Sequence, residues 1–102
     1  MKYHLVIQFP VTEDFDFDAI LALETRLMLE MGEDYIVDGH DFGAGEINIS
    51  IQTDDPEAGF KKAFDKVPVN LISEVRVAYR ASDADGFTWL YPDNSKSTFS
   101  IK

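Results

Sequence analysis

Apolar and polar residues alternate in three stretches of the chain, and this period of two predicts β-strands. The stretches are Tyr3–Phe9, Ile47–Gln52 and Val75–Tyr79, and a fourth strand is expected around Asp34–Asp38. The alternation is clearest around Ile47, Ile49 and Ile51, which are separated by Asn48 and Ser50. We therefore expect four strands whose apolar side chains face a common core.

Two stretches between these strands have the spacing of amphipathic helices. The first runs from about Phe17 to Met31, follows several carboxylates suited to capping, and stops at Gly32. The second starts at Asp54-Asp55-Pro56-Glu57, with a carboxylate cap and a proline in its first turn, and should end at Pro68. Its apolar stripe consists of Phe60, Ala63, Phe64 and Val67.

The resulting order, βαββαβ, resembles the ferredoxin-like split βαβ arrangement. This implies an α+β fold in which a four-stranded antiparallel sheet carries both helices on one face. Phe87–Tyr91 and Ser97–Ile101 predict an extra C-terminal strand pair, which would extend an edge or fold over the open face. Residues 1–102 fit a single domain.

The strand residues that alternate with the core positions should form an open face pointing away from the helices. Such a face is either the solvated side of an antiparallel sheet or a surface for a partner. Its expected members are His4, Val6, Gln8, Glu46, Asn48, Ser50, Gln52, Glu74, Arg76 and Arg80. RNA-recognition domains with the same element order stack bases on aromatic side chains of this face, and the expected set has none.

Charge and composition narrow the classes of function. Nineteen acidic and nine basic residues give a net charge of −10, which disfavours nucleic acid and favours a basic partner. The absence of cysteine excludes disulfides and thiol nucleophiles. No stretch approaches the ~20 apolar residues of a membrane span, and the first residues lack a signal-peptide pattern, so we expect a cytoplasmic protein.

The segment between the second and third predicted strands is the most distinctive. Asp38, His40, Asp41 and Glu46 lie within nine residues, interspersed with three glycines. Carboxylates and imidazole suit a divalent metal or a general base, but Asp and Gly are also typical of tight turns. We expect a structural turn, with a partner contact or a metal or catalytic site as alternatives. The glycines do not open a helix as a phosphate loop does, and we expect no cofactor.

Glu24 is unusual because it lies within the apolar arc of the first predicted helix. We expect it at the rim of the buried stripe or in a subunit contact; the alternative is a buried carboxylate that marks a site. Aromatic residues also crowd the C-terminal region, where we expect them to seal an edge of the core or to anchor an interface. An unpaired strand edge there would favour a homodimer. These aromatic residues are Phe87, Trp89, Tyr91 and Phe99.

The string from Asp38 to Ile49, followed by Asp54-Asp55-Pro56-Glu57-Ala58, resembles a group of small bacterial proteins of unassigned function. Some small, acidic members of that class are similar to immunity proteins of secreted toxins. The resemblance covers about residues 34–67 and implies no catalytic residues.

Three functions compete. The favoured hypothesis is a small acidic domain that binds a basic protein, such as a toxin, and occludes its site. The alternative is a small ligand-binding protein or enzyme, with a dimer as one option, that uses the open face or the segment around His40. A concave apolar pocket near His4, Asn48 and Arg76 would favour this alternative. A third is a structural or regulatory module whose charge only maintains solubility. The predicted partner-binding residues are Asp38, His40, Asp41, Glu46, Asn48, Arg76 and Arg80.

Overall fold

The protein is described by a computed structural model over residues 2–11, 16–43, 45–67, 69, 72–84 and 86–91. The predicted order of strands and helices is confirmed, and a further strand follows. The elements are β1 (Tyr3–Pro10), α1 (Phe17–Glu30), β2 (Tyr35–Gly43), β3 (Glu46–Thr53), α2 (Pro56–Phe64), β4 (Arg76–Ala81) and β5 (Thr88–Tyr91).

The five strands form one open antiparallel sheet in the order β2-β3-β1-β4-β5. β1 lies in the middle and pairs with β3 on one side and β4 on the other. β2 and β3 form an antiparallel hairpin, and β5 adds to the far side of β4. β2 is therefore the outer strand at one edge. The second member of the predicted C-terminal pair, Ser97–Ile101, lies outside the described residues.

Both helices pack on the same face of the sheet, because their apolar residues join one core with alternate residues of the strands. Ile20, Leu23 and Leu27 come from α1, and Ala63 comes from α2. Burial of a side chain the size of leucine contributes roughly 1.5–3 kcal/mol, so this layer accounts for most of the apolar driving force. The strand residues in the core are Leu5, Ile7, Phe9, Ile47, Ile49, Ile51 and Val77.

Aspartates cap both helices. The carboxylate of Asp16 accepts a hydrogen bond from the backbone N–H of Ala19 at 3.1 Å, and Asp55 does the same for Ala58 at 3.1 Å. Each bond satisfies a helix N–H that would otherwise lack a partner, and loss of such a cap costs about 1 kcal/mol. Gly32 follows α1 with φ +97°, a conformation that glycine adopts without strain.

The predicted end of α2 at Pro68 is wrong, because the helix ends at Phe64. The N–H groups of Lys66 and Val67 bond to carbonyl groups three residues earlier, at 3.0 and 3.2 Å, and this tightens the backbone beyond the helix. Val67 is still buried, so the apolar stripe continues past the helical residues. Pro68 itself lies outside the described residues.

The predicted turn at residues 39–45 is also wrong for most of its length. β2 continues to Gly43, and its pairing with β3 shifts register between Val37 and Gly39, which leaves Asp38 as the extra residue of a bulge. Gly39 has φ +123°, in a region that residues with a Cβ rarely enter. The glycine that indicated a turn thus serves an irregular strand.

The centre of the open face is covered, so there it is neither solvated nor open to a partner. Val6 and Ala78 are 2% and 0% exposed and pack with Phe87 and Trp89. The small side chain of Ala78 leaves room for Trp89, which is its partner on the added strand β5. The expectation that the C-terminal aromatics seal an edge of the core is confirmed for Tyr91, which packs against the main core. Phe87 and Trp89 cover the open face instead, and Phe99 lies outside the described residues.

Candidate partner-binding surface at the edge of the sheet

The bulge at Asp38 decides which side chains of β2 face α1. Before the bulge Tyr35 and Val37 lie opposite core-facing residues of β3, and after it His40 and Phe42 do. Paired residues of neighbouring strands share a face, so all four side chains lie on the helix side of the sheet. The extra residue, Asp38, thereby places the imidazole of His40 on the face of the sheet that carries α1.

His40 meets Glu24 of α1 across this edge. Nδ1 of His40 lies 2.8 Å from Oε2 of Glu24, and the two side chains are 24% and 14% exposed. Since a carboxylate only accepts, the Nδ1–H of His40 is the donor. Glu24 lies at the rim of the buried stripe, as expected, and the hydrogen bond connects the outer strand to α1.

Two exposed phenyl rings flank this pair. Phe17 is 43% exposed and Phe42 is 60% exposed. The Phe17 ring packs edge-to-face on His40 at 5.4 Å and on Phe42 at 6.4 Å. Met28, 62% exposed, lies one turn beyond Glu24 on the same side of the helix. We refer to these five residues, Phe17, Glu24, Met28, His40 and Phe42, as the α1–β2 surface.

Acidic residues are concentrated in the part of the chain that builds this surface. Residues 1–60 contain fourteen of the nineteen Asp and Glu residues but only two of the nine Lys and Arg residues. Residues 27–60, which include β2 and β3, contain no Lys or Arg. α1, β2 and β3, which lie toward one edge of the fold, therefore carry a net negative charge, whereas the part from residue 61 onward has a small basic excess.

An acidic cleft of about 290 Å³ lies at the start of β2. Burial, and then the nearby carboxylates of Asp55 and Asp34, raise the pKa of Tyr35 in this cleft, because each disfavours the charged phenolate. Carboxylates therefore lie beside the start of β2 as well as farther along it, at Asp38 and Asp41. The cleft is lined by Glu33, Asp34, Tyr35, Thr53, Asp54 and Asp55.

The structure does not bring the predicted partner-binding residues into one patch. Asp38 and Asp41 are exposed on β2, but His40 lies on the opposite face of the sheet from Asp41. Arg76 is exposed and Glu46 is half-buried on the open side. Four residues do form a continuous row across this side, with each paired to the next. They are Asp41, Asn48, Gln8 and Arg76.

Asn48 cannot contact a partner directly, because it is 0% exposed. Its Oδ1 accepts a hydrogen bond from Nε2 of Gln8 at 3.0 Å, while its Nδ2 is buried with no hydrogen-bond partner among the described residues. The prediction of Asn48 as a contact residue is therefore corrected. Alternation places it correctly on the open side, but alternation does not show that this part of the sheet is covered.

Arg80 has a structural position. Its Nη1 donates to the carbonyl oxygens of Ala81, Ser82 and Ala84 at 3.2, 3.4 and 2.9 Å. The guanidinium also lies 5.9 Å from the centre of the Phe87 ring, within the range of a cation–π contact. Arg80 thus holds the connection between β4 and β5.

A cleft of about 120 Å³ on the open side includes Arg76 and Glu46 but neither His4 nor Asn48, the other members of the predicted pocket. Within the described residues, no group of three or more His, Asp or Glu side chains is placed to hold a metal ion. The residues that line the cleft are Gln8, Pro10, Glu46, Glu74 and Arg76.

Comparison of the chain with family models, with curated proteins and with solved structures gives no match. Neither described helix combines the length and apolar content that a membrane span requires. Sequence reasoning singled out Glu24 and His40 separately, but their pairing depends on the bulge at Asp38. Phe17 and Phe42 were missed as exposed residues, since Phe17 fits the apolar arc of α1 and Phe42 lay in the predicted turn.

Proposed function

We propose that this protein binds a basic protein partner through the α1–β2 surface and blocks the partner by covering it, as an immunity protein would neutralise a toxin. The observation that carries the proposal is the exposure of Phe17 and Phe42, at 43% and 60%, on the acidic side of the molecule. Aromatic side chains are frequent interface anchors, and water excluded from two such rings favours association.

The surroundings of the rings support a role in recognition. Phe17 is held by edge-to-face contacts, and the Glu24–His40 hydrogen bond fixes the strand that carries Phe42. Side chains that are already ordered lose less entropy on binding. Asp38 and Asp41 lie exposed on the same strand, and carboxylates there would speed encounter with a positive surface and disfavour a negative one.

We also propose that β1 to β4 and the two helices form a ferredoxin-like split βαβ core. One support is the order of neighbouring strands, which is β4-β1-β3-β2 with every pair antiparallel. The other is the packing of both helices in one core. β5 is then an addition at one edge. An experimental structure with a left-handed crossover at either helix would contradict this assignment.

The Glu24–His40 pair also gives some support to the alternative of an enzyme. A carboxylate that accepts from Nδ1–H leaves the other imidazole nitrogen available as a general base. The cleft lined by Gln8 and Arg76 lies on the opposite face of the sheet, however, so the pair and this cleft do not form one site. A metabolite or metal that raises the melting temperature of wild type but not of His40→Ala would favour the enzyme.

The experiment for the proposed function is a comparative capture from an extract of the native host. The immobilised baits are wild type, Phe17→Ala/Phe42→Ala, Asp38→Lys/Asp41→Lys, and Leu29→Ala as the matched control. Leu29 is 80% exposed on a different side of α1, and its loss removes apolar area without touching the α1–β2 surface.

We expect a basic protein that wild type and Leu29→Ala retain and that both double variants lose. Its affinity for wild type should fall steeply with added salt, since the contact combines apolar burial with unlike charges. Retention of the same partner by Phe17→Ala/Phe42→Ala, or an affinity independent of salt, would contradict the proposal. Circular dichroism checks that each bait is folded.

A further inference from the structure

The outer edge of β2 indicates how the partner docks. We infer that the partner contributes an extended basic segment that pairs, as an additional β-strand, with the backbone of His40 and Phe42. The inference rests on the proposed function and specifies the binding mode and the chemistry of the bound segment.

The alternation of backbone hydrogen bonds along β3 determines which of its N–H and C=O groups point toward β1 and which point toward β2. The N–H of Val11 donates to the carbonyl oxygen of Gly45 at 2.9 Å, one step beyond the pairing of Pro10 with Glu46. In an antiparallel ladder, hydrogen-bonded and non-hydrogen-bonded pairs alternate. The residues of β3 that direct their backbone groups away from β1, and so toward β2, are therefore Glu46, Asn48, Ser50 and Gln52.

The same rule then assigns the backbone of β2. Gly43, Asp41 and Gly39 lie opposite three of those β3 residues and use their N–H and C=O groups in pairing with them. His40 and Phe42 lie between and direct their N–H and C=O groups outward. β2 ends the sheet, so no described strand lies there to accept them.

Natural edge strands are protected by charged side chains, by proline, by a bulge or by a covering element. Among the described residues, no element covers β2 on its outer side. The charge of Asp41 disfavours an acidic chain there but not a basic one. β2 contains no Lys, Arg or Pro, and its bulge lies at Asp38, before the stretch from Gly39 to Gly43. Gly39 still belongs to the bulge by its φ of +123°, so regular strand next to the two exposed rings covers the four residues from His40 to Gly43, whose outer edge no described strand pairs with.

The side chains along this stretch define what a docked segment should carry. On the helix side an apolar residue would contact Phe42 and Phe17. On the open side a Lys or Arg would meet Asp41, which is exposed. Because side chains of a strand point alternately to its two faces, the complementary segment alternates apolar and basic residues.

A second copy of this protein is the competing occupant. Pairing of β2 with β2 would bring the carboxylates of Asp38 and Asp41 from both copies to one junction, and like charges on paired strands destabilise the pairing. Charge complementarity therefore favours the basic segment.

The test uses a seven-residue peptide of alternating lysine and valine, together with the same peptide N-methylated at every residue. The ¹⁵N-labelled protein is titrated with each. We expect the amide signals of residues 39–43 to shift with the first peptide, and the methylated peptide to bind at least about tenfold more weakly, since it keeps the charge but loses its donors.

The protein side of the test compares Phe42→Pro with Phe42→Ala. Both variants lose the ring, but only proline removes the outward N–H, and it leaves the hydrogen bonds of Asp41 and Gly43 to β3 in place. We expect Phe42→Pro to bind the unmethylated peptide several-fold more weakly than Phe42→Ala. If Phe42→Pro does not fold, the methylated peptide decides.

Equal binding of both peptides would overturn strand pairing. If their affinity also falls with added salt and in the Asp41→Lys variant, the proposed function still stands. Absence of any shift at residues 39–43 with millimolar peptide would also overturn the inference, while the capture experiment judges the proposed function separately. A homodimer that dissociates in Phe42→Pro but not in Phe42→Ala would place a second copy on this edge and overturn the basic segment as its occupant.

Discussion

The coupling between Glu24 and His40 tests whether α1 holds the outer strand in place. Each residue is changed to alanine, alone and together, and the free energy of unfolding is measured for all four proteins. The side chains are 14% and 24% exposed, and their contact is 2.8 Å long. Removal of one partner leaves the other half-buried without its hydrogen bond, so each single change should cost about 1–3 kcal/mol.

The double variant should cost less than the sum of the single changes. A hydrogen bond to a charged group in a partly buried site should give a coupling energy of about 1–2 kcal/mol. For a domain of this size, a loss of 1 kcal/mol lowers the melting temperature by roughly 4–8 °C. Urea unfolding followed by far-ultraviolet circular dichroism gives the energies, and hydrogen exchange should show faster opening of β2 in both single variants.

Arg26 and Glu30 provide the matched control pair on the same helix. Their side chains meet at 2.7 Å but are 54% and 44% exposed, so the same cycle should give no measurable coupling. Additive effects of Glu24→Ala and His40→Ala, within about 0.5 kcal/mol, would refute the conclusion that this contact fastens β2 to α1.

Three further predictions concern the fold. A Cβ at Gly59 would lie 3.0 Å from the Tyr35 ring. Gly59→Ala should therefore lower stability by about 1–2 kcal/mol in urea unfolding, although alanine favours helix. Gly86→Ala should have little effect, because a Cβ there would meet no described atom within 4 Å apart from its chain neighbours. Because folding raises the pKa of Tyr35 above 10.0, its contribution is complete below pH 10 and is lost as pH rises through the raised value; Tyr35→Phe should remove this part of the alkaline loss of stability. Arg80→Met should alter Trp89 fluorescence and cost about 1–3 kcal/mol, since carbonyl groups of the β4–β5 connection lose their donor; an unchanged spectrum and stability would contradict this role.

Local patterns were sufficient to predict most of the fold. Ile47, Ile49 and Ile51 are all 0% exposed, as their alternation with polar residues requires, and Asp16 and Asp55 cap the two helices. Both features are determined by residues close together in the sequence. The period of a strand and the residue type of a helix cap can therefore be recognised without knowledge of distant contacts.

The irregular features depended on contacts between distant parts of the chain. A glycine such as Gly39 is equally typical of a turn and of a bulged strand. Only the pairing of β2 with β3 shows which of the two structures is present. Likewise, Asn48 is correctly placed by alternation, but its burial reflects packing over the open side, which the period of a strand does not encode. The candidate site could therefore be predicted as individual residues and not as a surface.

The bulge at Asp38 connects the structural and functional conclusions. With a regular strand, alternation from Tyr35 and Val37 would place Gly39 and Asp41 on the helix side and turn His40 and Phe42 toward the open face. Glu24 would then lose His40 as its hydrogen-bond partner. The carboxylate of Asp41 would instead point toward the apolar arc of α1 next to Glu24. The extra residue reverses this arrangement, so the carboxylate finds an imidazole, Phe42 joins Phe17, and Asp41 points to the other side of the strand. The stretch from Gly39 to Gly43 thereby carries apolar and acidic character on its two faces, and no described strand pairs with the backbone groups along its outer edge. This combination suits an alternating basic segment better than a flat, rigid partner surface.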